Sequence, residues 1–294
     1  MTSTGKPVVV GIDGSDVSSA ALDWAIGSAR AHHEGIVLVH AWSVPIPPSP
    51  VSGAVPPTDA TPFEDAARRL AEAAEQRVRA AGIDVTSKVV AGPPAHSLLT
   101  EAENASLAVL GSRGLGGFSE LLLGSTSVQV ATHASCPVVV IRPHAQVPGG
   151  PEAGRVVVGV EGPSSADALE FAFSEASFRQ VGLTAVHAWN SPSLDAPGVG
   201  APISLSSDEV TDEELRVLAE SLGGFRERFP DVDVRQYVMH GSPAPALVTA
   251  SAGALLLVVG SRGRGGFRAL LLGSTSHAVL HHAYCPVAVV RTAK

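Results

Sequence analysis

Two glycine-rich segments followed by hydroxyl residues carry the clearest chemical signal in this 294-residue sequence. Residues 111–114 read GSRG and, nine residues later, 124–126 read GST; residues 260–263 and 273–275 repeat both segments at the same spacing. A glycine-rich loop that opens a helix presents free backbone N–H groups and the positive end of the helix dipole. Serine and threonine hydroxyls add hydrogen-bond donors at the same place. The pattern predicts two phosphate-binding loops.

Three better-known loops do not fit these segments. A Walker loop needs a lysine directly after its last glycine, where this chain has Ser125 and Ser274. The dinucleotide fingerprint would follow the first strand, and the local run of glycines has Ser119 where a third glycine belongs. Ser112 and Ser125 also lack the G-x-S-x-G frame of a hydrolase nucleophile. The sequence therefore nominates no catalytic nucleophile.

The chain contains the same domain twice. Residues 111–142 and 260–291 match at 22 of 32 positions without a gap, and other shared segments keep the same order at a period of 147 to 149 residues. The prolines and glycines between the copies are typical of a linker. We predict a first domain over residues 1–143, a linker over 144–154 and a second domain over 155–294.

Within the first copy, short β-branched runs alternate with helical patterns, which indicates βαβ units and a mostly parallel sheet buried on both faces. The predicted strands are residues 8–12, 36–39, 85–90, 107–110 and 138–142, and the predicted helices are about 15–31, 67–81, 95–104 and 125–134. Residues 42–62 contain seven prolines and no periodicity, so we interpret this long segment as a candidate lid. Each copy is thus predicted to be an α/β domain with five strands.

Composition and charge exclude several classes of protein. The 20 basic and 28 acidic residues give a net charge of -8, which repels a nucleic-acid backbone. The apolar runs are far shorter than the ~20 residues that cross a membrane, and the N-terminus does not resemble a signal peptide, so we expect a cytoplasmic protein. Cys136 and Cys285 are too few for a disulfide framework and are expected to be buried free thiols.

The complete spacing, G-x2-G-x9-G-[ST] in both copies with Asp13 soon after the first strand, resembles the nucleotide-binding signature of the universal stress proteins. The resemblance covers nearly the whole chain and is to the tandem subgroup, which has two such domains in one polypeptide. It implies two Rossmann-like domains, each a five-stranded parallel sheet of strand order 3-2-1-4-5 sandwiched by helices. The implied ligand is ATP or a related adenine nucleotide, with or without Mg²⁺, where the first and fourth strands end side by side.

Carried over residue by residue, the resemblance implies a ribose contact for Asp13 and an adenine contact for the backbone of Ala41. A carboxylate accepts two hydrogen bonds from vicinal hydroxyls, whereas phosphates would repel it, which agrees with the ribose role. The other implied site residues of the first copy are Gly11, Gly111, Arg113, Gly114, Gly124, Ser125 and Thr126. Those from position 111 onward are implied to lie at the phosphates. The implied site residues of the second copy are Gly159, Glu161, Ala188, Gly260, Arg262, Gly263, Gly273, Ser274 and Thr275.

The second copy departs from the first at the ribose position. Glu161 replaces Asp13, the stretch after it is one residue shorter, and Pro163 lacks the backbone N–H of the residue that it replaces. The extra methylene moves the carboxylate into space that a ribose would occupy. Arg264 and Arg268 replace a leucine and a serine of the first copy and add positive charge near the phosphates. We expect the second site to bind more weakly unless these arginines compensate.

The leading hypothesis is an ATP-binding stress-response or regulatory module whose output is a bound state, since no base, nucleophile or metal cluster accompanies the phosphate loop. Slow ATP hydrolysis is left open. The alternative is an ATP-using enzyme of the related ATP-pyrophosphatase or adenylating class, which would need a catalytic motif outside the loop. His277 and His281 are four residues apart, but two ligands without a third do not predict a metal site.

The fifth strand of each copy, residues 138–142 and 287–291, is expected to lie at a sheet edge with an apolar row exposed. The resemblance implies pairing at this strand, so we expect the two domains to pair within the chain, with a homodimer as a further assembly. The sequence does not identify a protein partner.

Overall fold

A computed structural model describes residues 5–44, 59–115, 123–142, 149–189, 207–262 and 272–291. The chain divides into two compact units, Met1–Pro143 and His144–Lys294. In the first unit the strands are β1 (Val8–Gly11), β2 (Ile36–Trp42), β3 (Val85–Ala91), β4 (Leu107–Gly111) and β5 (Val138–Ile141), and the helices are α1 (Asp16–His32), α2 (Thr61–Ala80), α3 (Pro94–Ala102) and α4 (Ser125–His133).

The second unit repeats this alternation of strands and helices. Its strands are β6 (Val156–Gly159), β7 (Leu183–Trp189), β8 (Val234–His240), β9 (Leu256–Gly260) and β10 (Val287–Val290), and its helices are α5 (Ala166–Arg179), α6 (Ser207–Arg228), α7 (Pro243–Ala250) and α8 (Ser274–His282). A single 3-10 turn, Pro163–Ser165, precedes α5.

Each unit has a parallel sheet with the strand order that the resemblance to the universal stress proteins implies. The order is β3-β2-β1-β4-β5 in the first unit and β8-β7-β6-β9-β10 in the second. In both units the first strand pairs on one side with the second strand and on the other with the fourth. The predicted fold class, two tandem Rossmann-like α/β domains, is confirmed. Its strand order brings the carboxyl ends of the first and fourth strands side by side, where ligands of open α/β sheets bind.

The central strands are buried on both faces because helices pack against each side. Val8, Val9 and Val10 of β1 are at most 1% exposed, and all of β4 is buried. Helix α1 begins after Ser15, whose hydroxyl caps the helix by accepting a hydrogen bond from the Ser18 N–H at 3.2 Å. Continuous β-branched runs of this kind are typical of a parallel sheet covered on both sides.

Two elements of the first unit extend beyond their predicted bounds by three residues or more. Strand β2 continues to Trp42, because residues 40–42 stay in register with residues 89–91 of β3. Helix α2 begins at Thr61, with Pro62 in its first turn. The N–H groups of the first turn have no intrahelical acceptor, so a proline there costs the helix no hydrogen bond. The candidate lid, residues 42–62, lies mostly outside the described residues.

Both cysteines are buried free thiols, as predicted. Burial raises the pKa of the Cys136 thiol to about 11, so this thiol stays protonated and poorly nucleophilic at neutral pH. In the described part of the chain, no helix has the length and the apolar character needed to cross a membrane.

Candidate functional site

In the first unit the candidate site begins with two glycines at the carboxyl ends of adjacent strands. A Cβ atom on Gly11 would lie 3.2 Å from Leu98 Cδ1, and one on Gly111 would lie 3.0 Å from Val17 Cγ1. Such distances are tighter than ordinary van der Waals contact, so larger residues would push α3 and α1 away from the strand ends. The two glycines therefore keep the helices close to the edge where β1 and β4 meet.

Asp13 connects the turn after β1 to the glycine loop after β4. Its backbone N–H donates to Ser18 Oγ at 3.1 Å, and its carboxylate accepts the N–H of Ser15 at 3.0 Å and that of Leu115 at 2.9 Å. A Cβ atom on Gly114 would lie only 2.3 Å from Asp13 Oδ2. The glycine at position 114 thus lets the loop backbone rest directly against the carboxylate.

Two hydrogen bonds fix the start of α4 against the end of β4. The Gly124 N–H donates to the Ser112 carbonyl at 2.7 Å, and the buried Ser127 hydroxyl donates to the Gly111 carbonyl at 2.7 Å. Ser127 was not among the predicted site residues, although this serine directly follows GST in the repeated segment. Its hydroxyl sets where the helix N-terminus points.

The N-terminus of α4 offers donors to an anion. Its N-cap residue is Gly124, which has no side chain to cap the first turn. The first three backbone N–H groups of a helix have no intrahelical acceptor, and they lie at the positive end of the helix dipole. Ser125 is exposed, and Thr126 and Arg113 are half-buried. The structure thus brings Gly111, Arg113, Gly124, Ser125 and Thr126 together at one helix start, while Gly114 rests against Asp13.

The adenine side of the predicted site is the end of β2. Ala41 is half-buried there, and its neighbour His40 contacts the turn after β1, which carries Asp13. The Nδ1 atom of His40 lies 2.7 Å from the carbonyl oxygen of Ile12, which only accepts, so this nitrogen carries the proton. His40 therefore positions the residue just before Asp13.

The second unit has a cavity of about 360 Å³ at the equivalent place. Every predicted site residue of the second copy that the structure describes lines this cavity: Gly159, Glu161, Ala188, Gly260, Arg262, Gly273, Ser274 and Thr275. Gly263, Arg264 and Arg268 lie outside the described residues. Residues far apart in sequence thus meet around one cavity.

The hydrogen bonds of the first site recur in the second. The Gly273 N–H donates to the Ser261 carbonyl at 2.7 Å, and the Ser276 hydroxyl donates to the Gly260 carbonyl at 2.5 Å. The Glu161 N–H donates to Ser165 Oγ at 2.9 Å, as the Asp13 N–H does to Ser18 Oγ. The backbone scaffold of the site is therefore the same in both copies.

The second site differs from the first around Glu161, at the position where a ribose contact is predicted. Residues 163–165 form the 3-10 turn, and α5 begins without a side-chain cap. His187 repeats the contact of His40, with its Nδ1 atom 2.7 Å from the Val160 carbonyl, and its Nε2 atom lies 2.9 Å from Glu214 of α6. In the described parts of the chain, the shorter turn and the His187–Glu214 contact distinguish the second site from the first.

Five apolar residues that line the cavity were not predicted: Val160, Val186, Pro243, Leu247 and Val259. Pro243 and Leu247 of α7 and Val186 of β7 line it beside Ala188. The available signal was the repeat of residues 92–95 as residues 241–244, which places the start of α7 at the same point of each copy. These side chains give the cavity apolar surface in addition to the donors of α8. In the described parts of the chain, no three His, Cys, Asp or Glu side chains are grouped closely enough to hold a metal ion.

Comparison with known proteins agrees with this geometry. Residues 5–142 and 152–291 each match the universal stress protein family. A universal stress protein of Mycobacterium tuberculosis is 40% identical, the alignment covering 97% of this chain and 96% of the relative, and one from Mycolicibacterium smegmatis is 37% identical over the same shares. The crystal structure of a universal stress protein from Archaeoglobus fulgidus, 23% identical, has a TM-score of 0.69 and is similar in fold over 98% of this chain and 97% of its own. The chain therefore belongs to the universal stress protein family and contains two tandem copies of the family's domain.

Proposed function

We propose that this chain binds ATP or a related adenine nucleotide where the first and fourth strands of each unit end, and that it acts as a nucleotide-dependent stress-response or regulatory module. Family membership supports the stress-response part of the proposal. The glycine loops and the geometry around them support the nucleotide.

The cavity of the second unit carries the proposal. Its volume of about 360 Å³ lies within the range of small-molecule sites, roughly 300 to 1,000 Å³. Its lining includes the N-terminus of α8 with the hydroxyls of Ser274 and Thr275, which suits phosphates. Val186 and Ala188 of β7, which β6 separates from β9, and Leu247 of α7 add apolar surface that suits the flat face of a base.

The position of the carboxylate fits a sugar. Asp13 in the first unit and Glu161 in the second lie two residues after the end of the first strand, and Glu161 lines the cavity. A ribose offers two vicinal hydroxyl donors, which match the two acceptor oxygens of a carboxylate. In the first unit a ribose hydroxyl would replace the Leu115 N–H as the donor to Asp13 Oδ2.

The cavity favours binding over fast catalysis. Among the described residues that line it, only Glu161 and Arg262 have titratable side chains. Phosphoryl transfer needs a group that orients or activates the attacking nucleophile, and neither an acid–base pair nor an activated nucleophile is formed by these two side chains. We therefore infer that any hydrolysis is slow.

The decisive experiment is to identify the small molecules that remain with gently purified protein. We expect mass spectrometry of the denatured protein to release an adenine nucleotide, and calorimetry with stripped protein to give saturable ATP binding. Absence of both would reject the proposal. Steady-state release of phosphate or pyrophosphate at about 10 per second, a median enzyme rate, would instead support an ATP-using enzyme.

A further inference from the structure

An arginine follows the fifth strand in both copies, at the last position of the repeated segment. In the second unit this residue is Arg291, directly after β10. Val290 pairs with Gly260 in the parallel register of β10 and β9, and the Ser261 N–H donates to the Val290 carbonyl at 2.7 Å. The chain leaving β10 therefore lies beside the chain leaving β9, which leads to Arg262.

The two arginines lie close enough to affect each other. Burial and the neighbouring positive charge of Arg262 both lower the pKa of the Arg291 guanidinium. A guanidinium nevertheless stays protonated at physiological pH, so both charges are present together. Arg262 lines the cavity, and Arg291 is half-buried at the same edge of the sheet. An anion with several charges would reduce the repulsion between them.

The N-terminus of α8 adds a third positive element to this edge. Ser274 and Thr275 at its first turn line the same cavity as Arg262. A single phosphate can occupy the helix N-terminus alone, but a chain of phosphates extends further along the edge. The second and third phosphates of such a chain would meet positive charge if the chain extended toward Arg262 after β9 and Arg291 after β10.

We propose that Arg291 is a further ligand-binding residue of the second site and that, with Arg262, it holds the terminal phosphates of a nucleoside di- or triphosphate. The second site thereby selects polyphosphates over nucleoside monophosphates, cyclic nucleotides and nucleosides. This inference rests on the proposed nucleotide-binding function and names the ligand class for one of its sites.

The test is calorimetry of the full chain with ATP, ADP, AMP and adenosine, using Arg291→Gln. Loss of charge-assisted bonds to phosphate should weaken ATP binding in one class of site about ten- to hundredfold and leave adenosine binding unchanged. The dependence of ATP affinity on salt should also fall, because fewer charges are paired on binding. Arg291→Lys, which keeps the charge, should retain most of the affinity.

Arg235→Gln is the matched control. Arg235 lies near the start of β8, at the opposite edge of the same sheet, and the substitution removes the same charge from the same unit. We expect it to leave all four affinities unchanged. Inorganic tripolyphosphate serves as a probe without a base, and it should bind to the wild type and to Arg235→Gln but poorly to Arg291→Gln.

Three outcomes would overturn the inference. Unchanged ATP affinity in Arg291→Gln would remove the phosphate contact, while the proposed nucleotide binding would stand. An equal loss of ATP and adenosine binding, or loss in Arg291→Lys as well, would mean that Arg291 only supports the fold. A wild-type chain that binds none of the nucleotides would reject the proposed function together with this inference.

Discussion

At the scale of single residues, Asp13 is the side chain on which the first site depends. Its carboxylate joins Ser15 to Leu115 and leaves no space for a side chain on Gly114. We predict that Gly114→Ala weakens ATP binding at one class of site roughly ten- to hundredfold, since the new methyl must displace the carboxylate and its hydrogen bonds, at a cost of about 1 to 3 kcal/mol. Calorimetry with ATP measures the change.

A second glycine of the same unit provides the control. Gly27 lies within α1 and has nothing within 4 Å of an added Cβ atom. Gly27→Ala should leave nucleotide affinity unchanged and raise stability slightly, because alanine favours the helix. If Gly114→Ala binds ATP as the wild type does, the contact between the loop and the carboxylate does not shape the site.

At the scale of elements, two serine hydroxyls set the position of the helices that open the sites. Ser127 Oγ donates to the Gly111 carbonyl, and Ser276 Oγ donates to the Gly260 carbonyl. We predict that Ser127→Ala and Ser276→Ala each lower the free energy of unfolding by about 1 kcal/mol and weaken ATP binding at one class of site, because each leaves a carbonyl without this donor and loosens the helix N-terminus.

Thermal unfolding and calorimetry test these two variants together. Ser97→Ala is the control. The hydroxyl of Ser97, on α3, lies 3.5 Å from the Pro93 carbonyl, so its hydrogen bond is weak. It should change neither stability nor affinity. A loss of stability with unchanged ATP affinity in Ser127→Ala and Ser276→Ala would limit these hydroxyls to a structural role.

Arg155 joins the three strands on one side of the second unit. It is 9% exposed, and its guanidinium donates to the carbonyls of Leu183 and Asp233, to Thr184 Oγ1 and to the Asp233 carboxylate, at 2.7 to 3.0 Å. A Cβ atom on Gly182 would lie 2.1 Å from Arg155 Nη1. The arginine and the glycine therefore depend on each other.

A double-mutant cycle tests this dependence. We predict that Arg155→Ala lowers the free energy of unfolding by about 2 to 4 kcal/mol, because several hydrogen bonds to a charged donor are lost. Gly182→Ala should destabilise the wild type and have much less effect once Arg155 is alanine. Additive effects in denaturant titrations would show that the two positions are independent.

The same arrangement predicts a dependence of stability on pH. The Arg155 guanidinium beside Asp233 lowers the pKa of that carboxyl below its ordinary value. Asp233 therefore contributes stability above the unfolded-state pKa of about 3.9, and this is lost as the pH falls through the lower folded-state pKa. We expect a smaller loss of stability on acidification in Asp233→Asn than in the wild type. The difference should be small, because the carboxyl is largely exposed.

At the scale of the whole molecule, the sequence predicts those features whose signals are local. The repeated segments identify two domains. The β-branched runs identify their strands, because a strand buried on both faces needs apolar residues throughout. Contacts between distant positions leave no comparable pattern. His187 meets Glu214 and Arg155 meets Asp233 across long separations, and neither pairing is visible before the chain is folded.

The two sites are predicted to be unequal. Glu161 stands in the second site where Asp13 stands in the first, while the backbone of both sites is held by the same serine contact. Loss of the hydrogen bonds to the ribose should cost about 1 to 3 kcal/mol of binding free energy. The second site should therefore bind ATP roughly ten- to hundredfold more weakly than the first unless its arginines compensate. Titration with ATP should therefore show two classes of site.

The reciprocal exchange is the sharper experiment, because each variant is the control for the other. Glu161→Asp should tighten the second site by shortening the carboxylate to the length found in the first. Asp13→Glu should weaken the first site, since the longer side chain enters the space of the ribose. The two classes should then move in opposite directions. Equal sites in the wild type, or no response to either exchange, would mean that the acidic residue does not set the affinity and does not contact the ribose.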